Sequence, residues 1–488
     1  MSARTQRLQS PIRALLSAEM NQPVRSRLNV AASAFASNAV NRNLRRAQLS
    51  FFGAWTAEWA FTVALGIVAF RDGGATAVGL VALLRMVPSA VVAPLAAPLA
   101  DRGRRERVLV VVSTVRGIAT GAAGIVVARD GPLSIVYVLA ALSTIAATLY
   151  RPAHSALLPS LCRTGHELAS ANVVRGFLDS VATLVGPLLA AVLLKFTDVE
   201  VVFAVVSAAS LAAAALLLRL RYDAPPRPAA PRGVHLVADA AEGVRAIVRN
   251  RDLELFIGLG IAQTFTRGAL TVFTVVVALD LLRTGEPGVG TLTAAVGAGA
   301  VIGSLVASLL VGSHRLARWF GIGVALWGLP IALIPAFPWE ATVLILLACV
   351  GIGNALVDVG LFTLIARLAP DAVLARVFGI LESLISLAVG LGAVVASLLI
   401  NLTGLRIALV AVGALCPISG GGGMAPSETP GPLYRRTGPK RSHCSTAYPC
   451  CSHYRYLPSN SWPAVWNQST CLPAGRYLAR VIRPTAST

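Results

Sequence analysis

The chain is dominated by long apolar blocks without charges, which leave few folds open to it. Segments 133–150 and 201–218 each run for 18 residues without a charged side chain. About 20 helical residues at 1.5 Å each cross a bilayer core of roughly 30 Å, so such blocks indicate membrane-spanning helices. The sequence therefore predicts an all-α membrane protein. Twelve candidate spans can be placed, at 47–70, 76–100, 108–128, 132–150, 168–194, 199–218, 253–280, 288–312, 319–337, 341–366, 377–401 and 405–416.

The few charges are strongly basic, with 13% charged residues and a net charge of +20. In a soluble protein this excess would suggest nucleic acid as a partner. Here, alternate loops carry 25 basic residues on one side and five on the other. Because the basic residues are dispersed over short loops, nucleic-acid binding is excluded in favour of a role in topology. The positive-inside rule then predicts a cell-membrane protein whose N-terminus and central loop are cytoplasmic.

Short motifs recur in the two halves of the chain. The sequence NRNL at 41–44 is matched by NRDL at 250–253, and GFLDS at 176–180 is matched by GILES at 379–383. An even number of spans per half makes the repeats parallel, an arrangement that suits alternating access around a central cavity. The predicted parts are a basic cytoplasmic segment at 1–46, a six-helix half at 47–218, a cytoplasmic linker at 219–252 and a second half at 253–416.

The end of the sequence departs from this pattern, because the apolar run stops after Leu415. A twelfth span at 405–416 would cover only about 18 Å at 1.5 Å per residue. We expect a truncated last helix, with the native end lost, for example by a frameshift, and a disordered tail at 417–488. The alternative is a functional tail, disordered or disulfide-bonded. Its cysteines and histidines show no zinc-site spacing.

One loop motif, LADRGRRERVL at 99–109, lies between spans two and three. It resembles the cytoplasmic loop signature of the major facilitator superfamily, with Asp101 as the acid and Arg102 and Arg105 as the bases. The resemblance implies the twelve-helix fold of that superfamily, built from two pseudo-symmetric six-helix halves. An acid at one helix end can meet the positive N-terminus of another helix, so these residues would form a conformational latch. The alternative is an ordinary basic topology loop. Ala97 and Arg104 depart from the signature.

Further motifs resemble the enterobactin- and macrolide-exporter-like branch of this superfamily. They are YRPA at 150–153 and RVFG at 376–379. The resemblance implies a drug or siderophore efflux pump driven by the proton gradient. Gly186 and Pro187 match the antiporter motif of span five in part, and we interpret them as hinge or packing positions. Gly299 and Gly303 form a GxxxG pair, which favours close helix packing.

Charged residues inside spans are the candidate functional sites, because a charge at the bilayer centre is costly without a role or a partner. Glu58 and Arg85 fall at the same depth and could pair. Arg175 and Asp179, four residues apart on one helix, could pair as well. The candidates for proton coupling or buried charge are Glu58, Arg85, Asp179, Arg267, Asp358 and Glu382.

A carboxylate in a low-dielectric medium can carry a proton through a transport cycle. Glu58 is the first choice for this role, and Asp179 or Glu382 is the second. Structural pairing is the alternative for each carboxylate. Asp179 and Glu382 occupy equivalent repeat positions, which suggests symmetric packing or gating. Trp55, Trp59, Phe61 and Phe265 could line a cavity or pack against helices and lipid.

No constellation typical of an enzyme, a metal site or a cofactor occurs, and no Walker-type phosphate loop is present. We therefore predict a secondary active transporter that exports a small amphipathic molecule in exchange for protons. Its expected partners are this substrate, protons and the lipid bilayer. The alternatives are an uptake transporter for a metabolite and a non-transporting or defective membrane protein. An integral membrane enzyme is a more distant alternative.

Overall fold

The computed structural model describes residues 40–102, 104–162, 164–220, 244–245, 247–310, 316–368 and 374–423. The described residues belong to one compact unit, and all their regular secondary structure is helical. The segment before residue 40, most of the predicted linker with its surface helix, and the tail beyond residue 423 lie outside the described residues. Below, the first half means 40–220 and the second half means 247–423.

Twelve long helices follow one another in the described residues. Helix α7 continues into a π-helix at Val277–Leu281, and α9 continues into a short 3-10 helix at Ile334–Ala336. The helices are α1 (Arg42–Arg102), α2 (Arg105–Ala128), α3 (Leu133–Thr148), α4 (Tyr150–Leu161), α5 (Gly165–Phe196), α6 (Val199–Leu218), α7 (Arg251–Val276), α8 (Glu286–Leu310), α9 (Leu316–Leu333), α10 (Glu340–Leu368), α11 (Leu374–Thr403) and α12 (Leu405–Gly423).

Helix α1 is two membrane passes joined by a kink. A straight helix of its 61 residues would be about 92 Å long at 1.5 Å per residue. Gly73 and Gly74 have non-helical dihedral angles, and the φ of Gly74 is +61°, a region that glycine enters without a steric cost. Glu58 and Arg85, on opposite sides of the kink, form an ion pair of 3.0 Å. The chain therefore reverses at the two glycines, as predicted for spans one and two.

Membrane-length apolar helices confirm the predicted fold class. Ten helical segments of the described residues are long and apolar enough to cross a bilayer, and the first, Arg42–Ala93, contains both limbs of α1. An eleventh apolar segment, Leu405–Pro417, is shorter. The protein is an all-α, multi-pass membrane protein, and each of the twelve predicted spans coincides with a helix or with one limb of α1.

The predicted short apolar span at the end of the chain is confirmed, since the last apolar segment is Leu405–Pro417. Helix α12 itself runs on through Pro417 to Gly423. Its last apolar turn packs closely against α9, because a Cβ at Gly328 would lie 2.6 Å from Pro417 Cδ and 2.9 Å from Cys416 Cβ.

The two halves meet along two pairs of helices, α1 with α11 and α5 with α8. Small residues bring the helix backbones close together at these contacts. A Cβ at Gly290 of α8 would lie 2.7 Å from the carbonyl oxygen of Pro187 of α5. A Cβ at Gly186 would lie 2.6 Å from the carbonyl oxygen of Thr56 of α1. The predicted packing positions Gly186 and Pro187 thus lie where α5 meets both α1 and α8.

Candidate functional site

A buried ion-pair network crosses the middle of the first half. The Glu58 carboxylate accepts a hydrogen bond of 3.0 Å from Arg85 and one of 2.6 Å from Arg116. Arg85 also donates to the Thr144 hydroxyl at 2.8 Å, and its guanidinium lies 5.2 Å from the centre of the Phe61 ring. The predicted pairing of Glu58 with Arg85 is confirmed, and Arg116 joins it.

This network has the character of a structural brace. The side chains of Arg85 and Arg116 are only 6% and 3% exposed. Protonating Glu58 would leave two buried cations without their counter-ion, which is costly in a low-dielectric medium. The geometry therefore favours the structural alternative for Glu58 over its use as a proton carrier.

Asp179 pairs with a different arginine from the predicted one. Arg151 of α4 donates to both carboxylate oxygens of Asp179 of α5, at 3.1 and 3.2 Å, whereas no ion pair joins Arg175 to Asp179. The Arg151 guanidinium also lies 4.5 Å from the centre of the Trp55 ring. Arg151 lies just past the predicted end of the fourth span at residue 150, and this end is wrong, because α4 extends the helical segment from Tyr150 to Leu161.

A second tryptophan on the same face of α1 holds an arginine of the other half. The guanidinium of Arg267 of α7 lies 5.9 Å from the centre of the Trp59 ring. Trp55 and Trp59 are four residues apart, so they share a helix face. Phe61 instead packs edge-on against Phe203, which makes it a packing residue.

The second half contributes a chain of neutral and acidic polar groups. Thr264 donates to Gln263 at 3.3 Å, Gln263 donates to Asn354 at 3.5 Å, and Asn354 donates to Asp358 at 3.0 Å. The sequence interpretation missed Gln263 and Asn354. The available signal was an uncharged amide inside an otherwise apolar span, where a polar group needs a partner.

Five charged side chains from the two halves interact electrostatically and are called the central charge cluster below. Arg267, Arg151 and Asp179 all act electrostatically on Asp358, and Arg151, Asp358 and Arg267 act on Glu382. Asp358 and Glu382 take part in no ion pair with a described residue. The described residues contain no group of three His, Cys, Asp or Glu side chains suited to a metal ion.

The glycines at the matching repeat positions, Gly176 and Gly379, each have no atom within 4 Å of where a Cβ would lie. These two positions are therefore not sites of close helix packing.

On the side of the membrane where Gly74 lies, polar contacts join the two halves. Arg71 donates to Glu286 at 2.6 Å, Asn401 donates to Thr76 at 2.7 Å, and the Ser397 hydroxyl donates to the Ala75 carbonyl oxygen at 2.7 Å. These three polar contacts between described residues are called the Gly74-side seal below.

The remaining predicted residues fall into two groups. Gly299 and Gly303 lie in the contact between α8 and α10, where a Cβ at Gly303 would be 2.8 Å from Ile352 Cα. Of the predicted latch, Asp101 and Arg102 lie in α1 but their side chains are outside the described residues. Arg105 donates to the Ala156 carbonyl oxygen at 2.7 Å, which ties the start of α2 to α4.

Comparisons with known proteins agree with this architecture. A family model described as the Major Facilitator Superfamily matches residues 48–282 and 255–430. A protein of Sinorhizobium fredii described as the uncharacterized MFS-type transporter y4rN is 31% identical over 329 residues, which are 65% of this chain and 78% of that protein.

Solved transporter structures share the fold at low sequence identity. The nucleoside transporter NupG superposes with a TM-score of 0.63 at 12% identity, covering 78% of this chain and 98% of its own. The human organic anion transporter MFSD10 (TETRAN) gives 0.58 at 16%, covering 77% and 98%. A bacterial homolog of the human lysosomal transporter Spinster gives 0.60 at 13%, covering 77% and 95%.

Proposed function

The chain belongs to the major facilitator superfamily and is a membrane transporter, and we propose that it exports a small amphipathic molecule in exchange for protons. The observation that carries this proposal is the central charge cluster. Asp358 and Glu382 lie in apolar membrane spans, and neither has an ion-pair partner among the described residues. Such carboxylates can bind and release protons as access alternates.

Proton coupling belongs to these two carboxylates rather than to Glu58. Glu58 is held by two buried arginines, so its charge is needed for the fold. Asp179 forms an ion pair with Arg151, so it is less suited to carry the coupled proton. Glu382 is the exposed carboxylate of the cluster, and Asp358 is held by a single hydrogen bond from Asn354. Both lie where a proton and a substrate would compete for the same negative charge.

The direction of transport rests on the exporter-like sequence motifs and on the arginine asymmetry of the loops. If the positive-inside rule holds, the N-terminus is cytoplasmic in the plasma membrane. The Gly74-side seal then lies on the extracellular side, so a cavity between the halves would open to the cytoplasm, where an exporter collects its substrate. Gly186 and Pro187, between α1 and α8, would act as the packing hinge. Asp101, Arg102 and Arg105 would act as the cytoplasmic latch that stabilises the other state.

Inverted membrane vesicles test this function. With an imposed proton gradient, vesicles containing the protein should accumulate an amphipathic dye such as ethidium, and a protonophore should abolish the accumulation. Glu382→Gln and Asp358→Asn should each lower the initial rate by about tenfold or more, since a neutral amide cannot exchange a proton. Glu340→Gln, at the exposed start of α10, is the matched control and should transport like wild type.

Each alternative has its own signature in this assay. Gradient-driven uptake into intact cells, without accumulation in inverted vesicles, would reverse the proposed direction. Accumulation that persists in both the Glu382 and the Asp358 variants would remove them from the coupling mechanism. If no member of a broad solute panel moved in either preparation, the chain would be a non-transporting member of the family.

A further inference from the structure

The charge cluster also indicates which class of substrate it receives, an inference that rests on the proposed function. Arg267 lies at the middle of the membrane segment Arg251–Leu281. It forms no hydrogen bond and no ion pair with any described residue, and its guanidinium lies over the ring of Trp59, 5.9 Å from the ring centre. A guanidinium has five N–H donors, and stacking on an aromatic face leaves all of them available.

Arg151, the other arginine of the charge cluster, has its hydrogen-bonding capacity met by a carboxylate. Arg151 stacks on Trp55 and also forms two hydrogen bonds with Asp179. Trp55–Arg151 and Trp59–Arg267 are thus two similar units on one face of α1. They differ in that the first arginine has a carboxylate and the second has none.

Two carboxylates on neighbouring helices do not pair with Arg267. Helix α7 packs against α10, which carries Asp358, and against α11, which carries Glu382, and Arg267 acts electrostatically on both carboxylates. Opposite charges in a low-dielectric medium attract strongly, so unpaired ones must be held apart by the helices that carry them. For Glu382, close packing provides this separation, since a Cβ at Gly268 would lie 2.7 Å from Val389 Cα, which fixes α7 against α11 next to Arg267.

We propose that the substrate is an amphipathic zwitterion that bridges this gap. Its anionic group accepts hydrogen bonds from the guanidinium N–H groups of Arg267, its cationic group binds Glu382, and its apolar body lies beside Trp59. A charge-assisted hydrogen bond inside a desolvated site contributes strongly to affinity, so both ends are recognised. Because the cationic group and a proton compete for Glu382, binding of this substrate fits exchange with protons.

Four tryptophan derivatives separate the two charges on one ring system. Tryptophan carries both charges, tryptophanamide only the cation, N-acetyltryptophan only the anion, and N-acetyltryptophanamide neither. The same four forms of tryptophylglycine widen the distance between the charges. Binding to the purified full chain is measured by isothermal titration. We expect a zwitterion to bind about tenfold or more tighter than its singly charged forms.

Two variants test recognition of the two ligand charges separately. A variant that only damaged the structure would weaken binding of all the compounds alike. Arg267→Gln should make the zwitterion and the cation bind equally, while preserving the preference for the zwitterion over the anion. Glu382→Gln should do the reverse. Arg129→Gln, at the exposed end of α2, should leave all the ratios unchanged. Binding by none of the eight compounds, or equal binding of a zwitterion and a singly charged form in wild type, overturns the proposal.

Failure of this inference is distinguishable from failure of the proposed function. If a singly charged compound accumulates in inverted vesicles under a proton gradient and requires Glu382, the export function stands and the zwitterion is wrong. If a zwitterion binds with the expected variant pattern but never accumulates under the gradient, the substrate class stands and proton-driven export is wrong.

Discussion

Arginines inside a membrane need partners, and this chain satisfies them in graded ways. Arg85 and Arg116 share the Glu58 carboxylate deep in the first half. Arg151 has both an aromatic face and a carboxylate, whereas Arg267 has an aromatic face alone. The cost of an unpaired charge in a low-dielectric medium is tolerated where function requires it. Arg85 and Arg116 are thus engaged in holding the fold, whereas the hydrogen-bond donors of Arg267 are available to the ligand proposed above.

The brace role of Glu58 predicts a loss of stability rather than a specific loss of coupling. Glu58→Gln leaves Arg85 and Arg116 without their counter-ion, at a cost on the order of 3 kcal/mol for a broken buried pair. We expect the midpoint of thermal unfolding in detergent to fall by about 5 °C or more, measured by size-exclusion chromatography after heating.

Asp179→Asn is the control for this experiment, because the Arg151 and Asp179 side chains are 47% and 35% exposed. Exposed ion pairs contribute roughly 0–1 kcal/mol, so the control should unfold close to wild type. A Glu58→Gln protein as stable as this control, yet unable to use a proton gradient, would return Glu58 to the role of proton carrier.

The sequence predicted those features of the site that follow from counting residues along each span. Depth in the membrane can be counted, so the pairing of Glu58 with Arg85 was predictable. The rotation of each helix about its axis cannot be counted in a span that is apolar all round. Gln263 and Asn354 were therefore missed, and Arg175 was paired with Asp179 in place of Arg151.

At the scale of elements, apolar length predicted every span but not every end. The fourth span is predicted to end at residue 150. The helical path instead continues past Leu149 as α4. Pro152 lies in the first turn of α4, where its missing N–H removes no helical hydrogen bond. Arg151 therefore lies in a helix, where it pairs with Asp179, and not in a loop.

The contact between α8 and α10 depends on the absence of side chains at two facing glycines. A Cβ at Gly351 would lie 2.9 Å from Gly299 Cα and 2.7 Å from the Ala300 nitrogen. Gly299→Val should therefore force the helices apart, at a cost of roughly 1–3 kcal/mol for overpacking, with a lower yield of monodisperse protein in detergent.

Gly379→Val, on helix α11, is the comparison for this experiment. No atom lies within 4 Å of its Cβ position, so this variant should fold like wild type. Equal stability of the Gly299 and Gly379 variants would show that α8 and α10 can separate without loss, and would remove the packing role assigned to the Gly299–Gly303 pair.

At the scale of the whole molecule, two of the three contacts of the Gly74-side seal are exposed. Thr76 and Asn401 are exposed, and so is the Arg71 side chain of the ion pair with Glu286, whereas the Ser397–Ala75 hydrogen bond is buried. Exposed polar contacts contribute little stability individually, so the first two contacts oppose opening of the seal only weakly. By contrast, the buried Glu58 network lies wholly within the first half and need not break when the halves move. This division of strong and weak contacts is what movement of one half against the other requires.

Covalent closure of the seal should stop transport. In a chain whose seven native cysteines are replaced, Thr76→Cys with Asn401→Cys places two thiols where a 2.7 Å hydrogen bond now joins the halves. A short bis-methanethiosulfonate linker should reduce transport by about tenfold or more, and a reducing agent should restore it, because a linked pair prevents the populations from shifting. The same linker on Asp72→Cys with Tyr137→Cys joins residues of the first half that are now hydrogen-bonded at 2.7 Å and should leave transport intact. Full transport by the linked Thr76 and Asn401 variant would mean that the seal does not open during the cycle, and that the halves do not alternate about the central charge cluster.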